Sequence, residues 1–203
     1  LNAEKICAAR TELDAMLANL PARQVVCKDG KHQELEARPE YLTEPHPKHS
    51  FWLELCRNPR VLDAVQSVLG PDLILIMTHL IVKRPGDGLP VAWHQDNTYW
   101  HSVQGTDVTT VWLAIDDTDR ANGCMQVLKG SHKMGRIEHG RFGDQTGADP
   151  ERVAEAVKVL ETVYVELDPG DVLFFHSNTL HRSDQNTSET HRWSLLCCYN
   201  TRH

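Results

Sequence analysis

His94 and Asp96 stand two residues apart in Val91–Thr98, a segment that reads as a β-strand. On a strand, residues i and i+2 point to one face, so this imidazole and carboxylate can meet one metal ion. Histidine is the commonest metal ligand, and the chain holds twelve. The spacing alone is not selective. Twelve histidines and 28 acidic residues among 203 positions give about 1.7 such pairs by chance, and the other is His32 with Glu34. His32 lies in a polar stretch and reads as a solvated loop residue. Context favours His94: Gly86 and Gly88 precede it, and Trp93, Tyr99 and Trp100 flank it as at the mouth of a pocket.

A third ligand is needed, and His181 is the candidate. Two histidines and one carboxylate on one face of an ion leave open positions, the arrangement of non-haem iron(II) oxygenases. The competing reading leaves His181 as an exposed loop histidine. Downstream, Arg192-Trp193-Ser194 opens the last strand, with Arg192 and Ser194 on one face. A guanidinium fork beside a hydroxyl suits a carboxylate. A buried arginine is costly without an anion. A salt bridge at the strand end would meet that cost equally well.

These residues must be held by the elements around them. Ile6, Ala9, Leu13, Met16, Leu17 and Leu20 recur at helical spacing and predict a helix that stops at Pro21. Residues 22–50 are polar, charged and proline-bearing. They read as a long loop, a lid over the active-site mouth with Lys48 and His49 as substrate contacts. Asn58 and Pro59 start a second helix that Gly70 stops. From there the period changes. Strands are predicted at Leu73–Val82, Val91–Thr98, Val108–Ile115, Cys124–Leu128, Val163–Leu167, Val172–His176 and Trp193–Tyr199, with one short helix near Pro150–Leu160. The gaps are too short for a helix between each pair, so a mainly β jelly roll with flanking helices is expected rather than a doubly wound sheet.

Composition is consistent with this. Hydrophobic residues make up 40% and charged residues 24%, and the formal charge is −7. A net acidic chain is a poor match for nucleic acid or an anionic membrane, and the longest apolar runs are too short to span a bilayer. None of the six cysteines has CxxC spacing, which favours reduced thiols in a cytoplasmic protein. One domain over 1–203 is expected, with a helical and loop layer at 1–70 and the jelly-roll core at 71–203. The oligomeric state is left open.

Four stretches carry a resemblance to a known family: Trp93-His94-Gln95-Asp96; Asn122 to His132; Pro169-Gly170-Asp171-Val172-Leu173-Phe174-Phe175-His176; and His181 through Arg192 to Ser194. In this order the chain, from about Leu73 to Asn200, resembles the phytanoyl-coenzyme A dioxygenase-like family of iron(II)- and 2-oxoglutarate-dependent oxygenases. The resemblance implies a double-stranded β-helix. It implies that His94, Asp96 and His181 bind Fe(II), and that Arg192 holds the remote carboxylate of 2-oxoglutarate with support from Ser183 and Ser194. Trp112 matches the family's tryptophan beside the co-substrate, although core packing explains it equally. With O2, a small-molecule substrate would be hydroxylated and succinate and CO2 released. Related halogenases lack the carboxylate that Asp96 supplies, so no halide site is expected. Two alternatives stay open: a zinc-dependent hydrolase, and a catalytically silent jelly roll that binds metal.

Overall fold

The computed structural model describes residues 1–19, 23–28, 31–36, 41–86, 88–99, 108–142 and 145–201, with the side chains of 23–28, 31–36, Tyr41 and Phe142 excepted. Trp100 lies outside them. The elements are α1 (Ala3–Ala18), β1 (Arg23–Lys28), β2 (Lys31–Glu36), β3 (Tyr41–Thr43), α2 (Ser50–Cys56), α3 (Pro59–Leu69), β4 (Leu73–Lys83), β5 (Val91–His94), β6 (Thr109–Ala114), β7 (Met125–Leu128), β8 (His139–Phe142), β9 (Gln145–Ala148), α4 (Pro150–Val159), β10 (Thr162–Val165), β11 (Val172–His176), β12 (His181–Ser183) and β13 (Arg192–Thr201).

Five strands in the order β11-β6-β13-β4-β3 form one sheet, and four in the order β10-β7-β12-β5 form another. All their pairings are antiparallel. From β4 to β7, and again from β10 to β13, the chain changes sheet at every step. That alternation winds it into the double-stranded β-helix expected from the sequence.

Side-chain alternation along β13 shows what each face does. Trp193, Leu195 and Cys197 pack outward, with Leu80 and Val82 of β4 and Val111 and Leu113 of β6. They meet Ile6, Ala9 and Leu13 of α1, Trp52, Leu55 and Cys56 of α2, and Val61 and Val65 of α3. Each large side chain buried this way stabilises the fold by roughly 1.5–3 kcal/mol, which holds the short helices to the sheet. Leu196 and Cys198 point the other way. They join Trp112, Ala114, Met125, Val165 and Phe175 between the sheets, and this inner space is where the candidate site lies. The second predicted helix is capped as expected: the Asn58 side chain accepts from the Arg60 amide, Pro59 opens the first turn, and Gly70 ends it at φ 93°.

Two expectations are corrected. The stretch 22–50 is not one long loop. β1 and β2 form an antiparallel hairpin, β3 extends the larger sheet at the edge of β4, and α2 starts at Ser50. His32 and Glu34 therefore lie on a strand. Lys48 and His49 sit just before α2, where His49 Nδ1 is 3.3 Å from Glu12 Oε1 of α1. Residues 22, 29–30 and 37–40 of the stretch lie outside the described residues. The predicted strand Val91–Thr98 stops at His94, and Asp96–Tyr99 is a 3-10 turn. Among the described residues no helix is long and apolar enough to cross a membrane.

Candidate metal centre

His94 ends β5 and His181 begins β12, and the two are direct partners across the antiparallel pair. Their ring centres are 4.1 Å apart. Each ring is oriented by a carbonyl two residues earlier: His94 Nδ1 lies 2.8 Å from Ala92 O, and His181 Nδ1 lies 2.9 Å from Thr179 O. A carbonyl only accepts, so both Nδ1 atoms carry hydrogen and both Nε2 atoms are the ones turned toward Asp96. His94 Nε2 offers a lone pair, and His181 Nε2 offers one once its proton is displaced by a cation. Asp96 reaches the same point from the 3-10 turn, with Oδ1 3.7 Å from His94 Nε2 and 3.4 Å from His181 Nε2. Its Oδ2 accepts a 2.7 Å hydrogen bond from Thr110 Oγ1 on β6, in the facing sheet. The ligand atoms of the three residues all lie within 4.8 Å of one another.

Charge favours a cation here. Burial pushes the His94 imidazole down to about 4, with the neighbouring His181 adding to it, so His94 is neutral at pH 7. Burial also works against charge on His181, but Asp96, through its charge and its hydrogen bond, leaves His181 above its ordinary value. For Asp96 burial raises the pKa. His181, His94 and the Thr110 hydroxyl outweigh it and hold the carboxyl below its usual range. Two imidazoles and an ionised carboxylate converging in a buried site suit a divalent transition metal.

A second group lies on the same inner face. Arg192 opens β13 and is 3% exposed. Its Nη1 donates 2.6 Å to Gly123 O, and its guanidinium carbon is 5.4 Å from the Trp112 ring centre. Trp112, on β6, is buried in the inner cluster, as its core reading expects. Ser194 shares the face of Arg192 and sits opposite Ala114 and Ile81, its hydroxyl 3.5 Å from Ile81 O. Ser183, also buried, is two residues along β12 from His181. Gly123 has φ 77°, and a Cβ there would meet Asp184 O at 2.5 Å. Only glycine gives Arg192 this carbonyl.

The family model for phytanoyl-CoA dioxygenase (PhyH) matches residues 2–194. The chain belongs to the phytanoyl-CoA dioxygenase family. A probable phytanoyl-CoA dioxygenase from Caenorhabditis elegans is 30% identical over 156 residues, covering 72% of this chain and 49% of that one. An L-proline trans-4-hydroxylase from Streptomyces griseoviridis is 27% identical over 194 residues, covering 81% of this chain and 72% of that one. EctD from S. alaskensis, solved with bound Fe, superposes with a TM-score of 0.80 at 21% identity, over 99% of this chain and 70% of that one. That likeness establishes the fold. The chain spans about half the length of the first curated relatives it matches.

In this member of the phytanoyl-CoA dioxygenase family, the residue between His94 and Asp96 ties the site together. Gln95 is fully buried. Its Nε2 donates to Gly135 O (2.8 Å) and Asn178 O (2.7 Å), and its Oε1 accepts from the Ile137 amide (2.7 Å). Its own amide donates to His139 Nε2 at 3.0 Å. The segment leading to His181 is therefore fastened to the turn that carries Asp96. Sequence reasoning does not single out Gln95 or Thr110; only the first has a visible signal, a carboxamide inside the His-Gln-Asp triplet. Gln95→Leu will leave two buried backbone groups, Asn178 O and the Ile137 amide, without this partner, at roughly 1–3 kcal/mol each. The expected loss is at least about 2 kcal/mol, read as a lower urea midpoint. An unchanged midpoint would show these bonds to be dispensable.

Proposed function

We propose that this chain is an iron(II)- and 2-oxoglutarate-dependent oxygenase that hydroxylates an unactivated C–H bond of a small molecule. His94 and His181, through Nε2, and Asp96, through Oδ1, would hold Fe(II). The metal with O2 supplies the oxidising chemistry, coupled to cleavage of 2-oxoglutarate to succinate and CO2. Arg192, with Ser194 and Ser183, would bind the remote carboxylate of 2-oxoglutarate, and Trp112 would pack beside it. Phe175 and Leu196 keep the inner wall apolar and exclude water.

One observation carries this reading: a three-donor cluster and a buried arginine share the inner space of one jelly roll. A zinc hydrolase would use the cluster, but it has no need of Arg192 in that place. Relatives named for L-proline and hypophosphite oxidation support a small-molecule substrate. We assign one oxygenase domain over 1–203. The cytoplasmic setting rests on the sequence reading alone, six cysteines without CxxC spacing in a chain long enough to bury a core.

The test is succinate release by anaerobically reconstituted Fe(II) protein, exposed to O2 and 2-oxoglutarate over a panel of small metabolites. Slow succinate release without substrate, accelerated by one compound, is expected. A protein that binds Fe(II) yet never consumes 2-oxoglutarate would be the silent binder. Turnover supported by Zn(II) alone would favour the hydrolase.

A further inference from the structure

We infer that Thr110 is a positioning residue that decides how Asp96 meets the metal. The inference rests on the metal-site reading above. Thr110 lies on β6, in the sheet opposite the one that carries His94 and His181. It is fully buried. Its hydroxyl donates to Asp96 Oδ2 at 2.7 Å, and Cys198 Sγ is a distant 3.9 Å from it. The hydroxyl proton is therefore committed to the carboxylate.

A carboxylate can present one oxygen to a cation or two. Here Oδ2 is engaged by Thr110, and Oδ1 is the oxygen near both imidazole Nε2 atoms. The protein thus offers three donor atoms rather than four. Three donors leave three positions on a six-coordinate ion for co-substrate and oxygen, and a fourth would occupy one of them. The bond also crosses from one sheet to the other, so it fixes the turn at Asp96 against the sheet that bears Arg192. Outer partners of metal ligands commonly change metal affinity 10–100-fold when removed.

The experiment compares wild type, Thr110→Val and Thr110→Ser by anaerobic Co(II) titration, following both affinity by calorimetry and the visible spectrum. Valine keeps the shape and removes the hydroxyl; serine keeps the hydroxyl. Thr110→Val is expected to bind Co(II) at least about tenfold more weakly, with a spectrum shifted toward a different coordination, while Thr110→Ser stays within about threefold of wild type with its spectrum kept. Val and wild type alike in both readouts would overturn the inference. So would equal losses in Val and Ser, because packing rather than the hydroxyl would then be responsible. If Thr110→Val does not fold, Thr110→Ala takes its place, and wild-type affinity and spectrum in that variant would overturn the inference. Wild-type protein that binds no Co(II) would overturn the metal-site reading and this inference together. Binding by wild type that is unmoved in the variants would overturn this inference alone.

Discussion

His181→Ala will lose iron-dependent succinate release altogether and weaken Fe(II) binding by more than about 100-fold, beyond what loss of an outer partner costs. The substitution removes one of three donors from a site whose remaining pair, His94 Nε2 and Asp96 Oδ1, lie 3.7 Å apart. It also removes the ring that packs 4.9 Å from Phe175, so a modest fall in thermal stability will accompany it. Asp96→Ala will differ in kind. The two imidazoles stay fixed by their carbonyl partners, so weak metal binding will survive while turnover will not. The measurement is iron content after anaerobic reconstitution, with circular dichroism to confirm the fold. His181→Ala with near-wild-type succinate release would remove the assignment of all three residues.

The structure brings His94 and Asp96 together, but not by the route their spacing implies. Two-residue periodicity assumes a continuing strand, whereas β5 ends at His94 and the chain turns through Asp96–Tyr99. Asp96 and Asn97 are strand-depleted residues and do mark that boundary, but the β-like residues on either side, Val91 to His94 and Thr98, carry the strand reading past it. The turn is set by contacts far away in sequence, above all Gln95 with Gly135, Ile137 and Asn178. The jelly roll was legible because four strands of its larger sheet, β4, β6, β11 and β13, are apolar runs bounded by turn residues. β1 to β3 were not. β1 and β2 are rich in charge, which suits a two-stranded hairpin where the alternation that marks a strand is weak, and β3 is only three residues long at a sheet edge. Thr110 carries no signal of its own, since threonine on a strand is ordinary; its role exists only through a hydrogen bond between sheets.

Arg192→Ala will raise the apparent KM for 2-oxoglutarate by at least about tenfold while Fe(II) affinity stays near wild type. A charge-assisted hydrogen bond contributes roughly 1.5–3 kcal/mol, and about 1.4 kcal/mol is one decade in affinity. The arginine is already placed for the task. One nitrogen is spent on Gly123 O, and the guanidinium lies over the Trp112 ring. This contact fixes the orientation of the group, so little entropy is lost when an anion arrives. Arg192→Lys restores the charge but not the planar fork, and an ammonium satisfied by the Gly123 carbonyl has no second parallel donor to offer. Recovery will therefore be partial, with KM between those of wild type and Arg192→Ala. The alanine variant also strips a partner from Gly123 and a neighbour from Trp112, so stability must be measured beside KM. A variant that is less stable but has an unchanged KM would make Arg192 a structural tie between β13 and the Gly123 turn. The remote carboxylate of 2-oxoglutarate would then have to be bound elsewhere in the inner space.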